Sequence, residues 1–172
     1  MKSRFRLSFF VCWVIALLIH NLVHESAHYL AAIALGQPVL EFRFLTNGFG
    51  TSQVVYATPV AERAGYHWLA IAWLPSAVTV LLGYLIYSLR YRLLSPNKSL
   101  NLFIWYAGLA FLCLDPLYFG VLSVFVGGDI QAVQAVGWSP WPIRLLAVCV
   151  LWLNSRLMLR WRTEARAMTG YY

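Results

Sequence analysis

The sequence predicts an all-α membrane protein with about four transmembrane helices and a short membrane-associated β-hairpin after the first of them. Of its 172 residues, 61% are hydrophobic and 11% are charged, whereas soluble domains carry roughly 25% charged residues. Long apolar stretches recur between clusters of basic residues, and one alternating polar segment interrupts them. The length suits a single integral-membrane domain over residues 1–172.

Four stretches are long and apolar enough to cross the roughly 30 Å hydrocarbon core as helices. The first is followed by Gly36 and Pro38, which are typical of a helix C-terminus. The second contains Pro75, at which we expect a kink, and the third contains Asp115-Pro116. The predicted spans are about residues 7–35, 68–89, 100–125 and 141–161.

The segment between the first two spans alternates between apolar and polar residues, which is typical of β-strands. Phe42 and Phe44 alternate with Glu41 and Arg43, and Asn47-Gly48-Phe49-Gly50 supplies turn residues. We therefore predict a hairpin over about residues 39–58, close to the end of the first span.

Basic residues account for the net charge of +7 and predict an orientation. Most of them precede the first span, join the second to the third, or follow the fourth: Lys2, Arg4, Arg6, Arg90, Arg92, Lys98, Arg160, Arg162 and Arg166. Positive residues favour the cytoplasmic side, so both termini are predicted to be cytoplasmic in a multi-pass protein of the bacterial cell membrane. The chain has no nucleic-acid-binding pattern, which leaves lipid as the partner of this charge.

The first span contains His24-Glu25-Ser26-Ala27-His28, and this motif predicts a metal site. Residues four apart lie on the same face of a helix, so His24 and His28 can share one zinc ion. In an H-E-x-x-H motif the glutamate is the general base of a metalloprotease, which assigns catalysis to Glu25. The alternative is that the histidines are buried polar links between helices. Ionisable groups at membrane depth favour a functional site.

A catalytic zinc needs three protein ligands and an open position for water. His24 lies about 27 Å along a helix that enters the membrane near Arg6, at 1.5 Å per residue. The third span returns to that side and ends just before Asp129, which we predict as the third ligand. Asp115 lies deeper and is retained as a supporting or substitute ligand. Weaker candidates are Glu41, Glu62, His20 and His67. Asp129 has an alternative role as the N-cap of a short helix over 130–136.

These residues resemble the site-2 protease family of intramembrane zinc metalloproteases, especially its small core-only bacterial members. The resemblance covers roughly residues 10–160. It rests on the histidine motif in an N-terminal span, the hairpin with its glycine-rich turn, the stretch Trp73-Leu74-Pro75-Ser76-Ala77, and Gly128-Asp129-Ile130. Asp129 stands where the family carries its aspartate ligand. The family usually has Asp-Gly after an Asn-x-x-Pro element, whereas this chain has Gly-Asp after Asp115-Pro116.

The resemblance implies a zinc metalloendopeptidase that hydrolyses peptide bonds in or near the membrane span of a protein or peptide substrate. An exposed hairpin edge is expected to hold the unwound substrate by strand addition. An adaptor protein or a homo-oligomer is a possible further partner. Two other functions stay open: a non-catalytic zinc-binding scaffold or regulatory protein, and a proton or metal transport component. The transport hypothesis rests on a stripe of polar residues along the first span: His20, His24, Glu25 and His28.

Overall fold

The structure, a computed structural model, describes residues 2–43 and 52–169. It confirms the predicted fold class, because four of the described helices are long and apolar enough to cross a membrane and a two-stranded antiparallel hairpin follows the first. In chain order the elements are α1 (Lys2–Ala34), β1 (Val39–Arg43), β2 (Gln53–Tyr56), a 3-10 turn (Val60–Glu62), α2 (Tyr66–Leu89), α3 (Lys98–Leu117), a π-helical turn (Tyr118–Leu122), α4 (Ser123–Val126), a second 3-10 turn (Gly128–Ile130), α5 (Gln131–Ala135) and α6 (Trp141–Thr169).

The candidate membrane spans agree with the predicted stretches, but the helices continue beyond them. The spans are Ser8–Ala34, Tyr66–Leu89, Lys98–Val126 and Trp141–Glu164. The helix α1 begins five residues before the predicted start at 7, and α6 ends eight residues after 161. Hydropathy marks only the apolar part of a helix, whereas backbone hydrogen bonding continues beyond it.

The hairpin pairs β1 with β2 in an antiparallel register that aligns Phe42 with Val54 and Arg43 with Gln53. An irregularity between Val39 and Glu41 shifts the register at the first residues of β1. The described strands begin at Val39 and end at Tyr56, within the predicted hairpin range 39–58, and the predicted turn over 47–50 lies outside the described residues. Packing of Val39 and Tyr56 beside the α1–α2 contact fixes the hairpin against the end of α1.

Small residues let the helices approach closely. Ala16, Ala31 and Ala32 of α1 are almost fully buried, as is common where helices pack in a membrane. At Gly120 a Cβ atom would lie 2.9 Å from Val148 Cγ2 and 3.1 Å from the Val148 backbone nitrogen. A larger residue at 120 would therefore push α6 away from the π-helical turn.

The end of α3 is irregular, and this irregularity directs the chain back to α1. Pro116 lacks an amide hydrogen, and the residues after it form the π-helical turn before α4 resumes. Gly127 and Gly128 then take φ values of 67° and 82°. Such values favour glycine, and the resulting reversal returns Asp129 to the level of the α1 histidines.

Candidate metal centre

The helix α1 presents its motif side chains toward the interior of the bundle. The rings of His24 and His28 pack edge to face with centroids 4.9 Å apart, as expected for residues one turn apart. His28 is 7% exposed, and the side chain of His24 is 12% exposed. Two imidazoles thus share one protected face of the helix.

Asp129 completes a group of three ligand atoms. Its Oδ2 atom lies 3.4 Å from His28 Nε2 and 3.7 Å from His24 Nε2, and the ligand atoms of the three residues all lie within 4.8 Å of one another. Tetrahedral zinc with ligand bonds of about 2.0–2.1 Å separates its ligand atoms by roughly 3.3–3.5 Å. The two distances from Asp129 to the histidines are close to this separation, and the three residues together could hold a metal ion.

The ionisation of Asp129 suits a ligand. Burial opposes ionisation, but the neighbouring imidazoles of His24 and His28 hold the pKa of Asp129 at about 2. The carboxylate is therefore charged at neutral pH, which is the form that binds a metal.

A tyrosine fixes the turn that carries Asp129. The Tyr118 hydroxyl donates a hydrogen bond to the Gly127 carbonyl at 2.7 Å and accepts one from the Asp129 amide at 3.1 Å. A Cβ atom at Gly128 would overlap the Tyr118 hydroxyl, so glycine is needed there for space as well as for φ. The helix α5 has no side-chain cap, and the Asp129 carboxylate contacts the histidines and does not take the alternative N-cap role.

Asp115 lies deeper in the bundle and meets the other nitrogen of His24. Its Oδ1 atom is 3.1 Å from His24 Nδ1, and its Oδ2 atom is 3.4 Å from His20 Nε2. Neither contact is a well-aligned hydrogen bond, whereas the Thr79 hydroxyl donates to Oδ2. Asp115 thus lies beside Nδ1 of His24, whereas Asp129 lies beside Nε2 of the same ring.

The weaker ligand candidates do not join this group. Glu41 is exposed and accepts a hydrogen bond from Arg43 at 2.8 Å. Glu62 and His67 are also exposed, and His20 contacts Asp115. Among the described residues, the group of possible metal ligands consists of two histidines and one aspartate.

The hairpin, which the sequence predicts to fold against the site, contacts the motif helix through backbone amides that the sequence does not identify. The Val54 amide donates to Glu25 Oε2 at 3.2 Å, and the Ser52 amide donates to Asn21 Oδ1 at 2.6 Å. The two donors are two residues apart along the strand, and their acceptors are four residues, about one turn, apart along the helix. The segment that contains β2 therefore runs beside the motif face of α1. Alternation predicted the strand, but no local signal identified the edge that faces the helix.

A cavity of about 780 Å³ borders the centre. His24, Glu25, His28 and Asp129 line it together with residues of β2. The cavity gives the ligand group an open side, as a catalytic metal requires.

Comparison with known proteins adds no relative: the chain matches no family model, no curated protein and no solved structure.

Proposed function

We propose that the protein is an intramembrane zinc metalloprotease that hydrolyses peptide bonds in or near the membrane-spanning segment of a protein substrate. The convergence of His24, His28 and Asp129 beside Glu25, on a cavity within a bundle of apolar helices, carries the proposal. The donor set of two imidazoles and one carboxylate is one that catalytic zinc uses. The resemblance of the motif to site-2 proteases points the same way.

Glu25 is the proposed general base. When bound, zinc supplies Lewis acidity that lowers the pKa of water toward about 7 and polarises a carbonyl group. The Glu25 carboxylate lines the same cavity as the ligands, where it takes a proton from the attacking water. It then returns that proton to the leaving amine as the carbon–nitrogen bond breaks.

The cavity-facing edge of β2 is the proposed site for the unwound substrate. Gln53 and Val54 line the cavity, and the Val54 amide points away from β1 toward Glu25. A substrate strand added at this edge takes over the hydrogen bond of that amide. Strand addition therefore brings the peptide to Glu25 and releases the carboxylate at the same time.

Proline substitutions at two paired residues, whose amides point to opposite edges of the hairpin, test this proposal. Val54→Pro removes the cavity-facing amide hydrogen, whereas Phe42→Pro removes that of its register partner on the opposite edge of the hairpin. We expect Val54→Pro to abolish cleavage with zinc still bound and Phe42→Pro to retain cleavage. Equal activity of the two variants would contradict strand addition at β2.

Purified protein with Glu25→Gln tests the function itself. Zinc per chain is measured by atomic emission, and cleavage of single-span test proteins in liposomes is followed by mass spectrometry. Wild-type protein is expected to bind one zinc ion and to release fragments, and Glu25→Gln to keep the zinc but release none. The matched control is Glu62→Gln, which changes an exposed glutamate. Cleavage that survives Glu25→Gln would contradict the proposal.

One observation favours a transport component as a second candidate. His20, Asp115, His24, Asp129 and His28 form a continuous chain of imidazole–carboxylate contacts of 3.1–3.7 Å. Such chains serve proton relays in membranes. Proton or metal flux into liposomes that depends on His20, without any cleavage, would favour this candidate.

The membrane orientation stays a prediction. The positive-inside distribution assigns both termini to the cytoplasm, in a bacterial cell membrane, with the metal centre toward the outer side. A cysteine introduced at exposed Glu62 is expected to react with an impermeant maleimide from outside intact cells. Labelling restricted to opened cells would reverse the assignment.

A further inference from the structure

Tyr56 lies at the next level of the contact between β2 and α1. The amides of Ser52 and Val54 bond Asn21 and Glu25 in turn. Another step of two residues along the strand, about 6.6–6.8 Å, brings the chain to Tyr56. Tyr56 lines the cavity that His28, Glu25 and Asp129 line.

The phenol ring is held on two sides. It packs edge to face on Trp68 with centroids 5.2 Å apart, and the Arg63 guanidinium lies 4.7 Å from its centroid. Arg63 is itself fixed, because its Nε atom donates to the Thr58 carbonyl at 2.9 Å. A cation over an aromatic ring stabilises this arrangement. Within residues 2–43 and 52–169, no hydrogen bond engages the Tyr56 hydroxyl.

The hydroxyl keeps its proton. Burial, together with the negative charges of Asp129 and Glu25, raises the pKa of Tyr56 above its ordinary value. The phenol is therefore a hydrogen-bond donor, not an acid that gives up its proton, throughout the neutral pH range.

We propose that Tyr56 is a catalytic residue whose hydroxyl donates a hydrogen bond to the oxyanion of the tetrahedral intermediate; this rests on the proposed protease function. The oxygen of water bonds to the carbonyl carbon, its proton passes to Glu25, and the carbonyl π electrons move to oxygen. Tyr56 stabilises that charge and transfers no proton. The electrons then re-form the carbonyl, the carbon–nitrogen bond breaks, and Glu25 protonates the amine. A donor aimed at developing charge is among the largest contributions to catalysis.

Tyr56→Phe tests this role, because phenylalanine keeps the ring and its contacts with Trp68 and Arg63. The probes are a peptidyl phosphinate and a peptidyl thiol with identical side chains. The phosphinate offers a second oxygen that mimics the oxyanion, whereas the thiol binds through sulfur alone. We expect Tyr56→Phe to weaken phosphinate binding about 10- to 100-fold, as loss of a hydrogen bond to a charged group does. Thiol binding and zinc content are expected to stay unchanged.

Tyr29→Phe is the matched control. Tyr29 contacts the hairpin through Phe42 with centroids 5.8 Å apart and does not line the cavity. Its loss is expected to leave the affinities for both probes unchanged. Equal weakening of phosphinate and thiol by Tyr56→Phe, or no weakening of either, would overturn the inference.

The assay separates this inference from the proposed function because it needs no turnover. Zinc-loaded wild-type protein that binds neither probe would overturn the protease function and the Tyr56 role together. Binding of both probes with no selective effect of Tyr56→Phe would overturn the Tyr56 role alone.

Discussion

Asp115 and Asp129 both face His24, but Asp115 lies in the buried part of a helix and Asp129 in a turn that is partly exposed. Asp115 is in the helix α3, is 4% exposed, and accepts a hydrogen bond from Thr79 of the adjacent helix. Asp129 is in a 3-10 turn after two glycines with positive φ, and its side chain is 26% exposed. A buried helix fixes one carboxylate, and a tyrosine-braced turn beside the cavity fixes the other.

The difference separates two tasks. Asp115 is held by its helix and by the Thr79 hydroxyl. It is therefore suited to orienting the ring of His24 through Nδ1, as partners of metal-bound histidines commonly do. A carboxylate beside a cavity can reach the metal while water and substrate still have access. The two aspartates are therefore expected to respond differently to substitution.

Asp129→Ala is expected to have the largest effect. It removes a proposed ligand, so the zinc affinity should fall by more than the about 10- to 100-fold typical of a supporting partner. Competition with a fluorescent chelator measures the affinity, and circular dichroism checks that the helices persist. Retention of wild-type affinity would remove Asp129 from the site.

Asp115→Asn is expected to have a smaller effect, an about 10- to 100-fold loss of zinc affinity, because the ligands remain but His24 loses its charged partner. Thr79→Ser is the matched control, since it keeps the hydroxyl that bonds Asp115, and it should bind zinc like the wild type. A loss with Asp115→Asn that exceeds that of Asp129→Ala would exchange the two assignments.

Gly128→Ala tests the turn that carries Asp129. The added methyl group overlaps the Tyr118 hydroxyl in addition to the backbone strain of about 1–2 kcal/mol. Gly137→Ala is a close control, because Gly137 has a φ of 79° and no atom within 4 Å of its added Cβ. Zinc affinity should fall about 10-fold in Gly128→Ala alone, as loss of a group that positions a ligand does, because only there does the methyl group overlap the Tyr118 hydroxyl. Equal affinities in the two variants would show that the turn does not position Asp129.

Tyr118→Phe is expected to have the smallest effect. It removes the hydroxyl that bridges Gly127 and Asp129 and leaves the ring in place. Net loss of a hydrogen bond costs about 0.5–1.5 kcal/mol, so the zinc affinity should fall roughly 2- to 10-fold. Chelator competition detects this change, and an unaltered affinity would indicate that the glycines alone fix the turn.

The sequence predicted the parts of the molecule that local patterns determine. Hydropathy located the four spans, alternation located the hairpin, and four-residue spacing paired His24 with His28. The spans, the hairpin and the histidine pair depend on distances along a single element. The candidate metal group also contains Asp129, which the sequence predicts as a ligand because it follows the third span on the side of the membrane assigned to His24.

The remaining features depend on how elements meet. The π-helical turn after Pro116 rotates the chain so that Asp115 and Asp129, fourteen positions apart, reach opposite sides of one imidazole. The edge of β2 that faces Glu25 depends on the packing of the hairpin against α1. Neither relation leaves a periodic signal in the sequence.

X-ray absorption at the zinc edge of wild-type and Asp115→Asn protein tests most directly whether Asp129 is a ligand and Asp115 only a partner of His24. We predict the same coordination in both proteins, two imidazole nitrogens and oxygen ligands at about 2.0–2.2 Å, because Asp115 contacts the His24 ring and is not one of the proposed ligands. Loss of an oxygen ligand in Asp115→Asn would contradict the account and assign Asp115 to the metal.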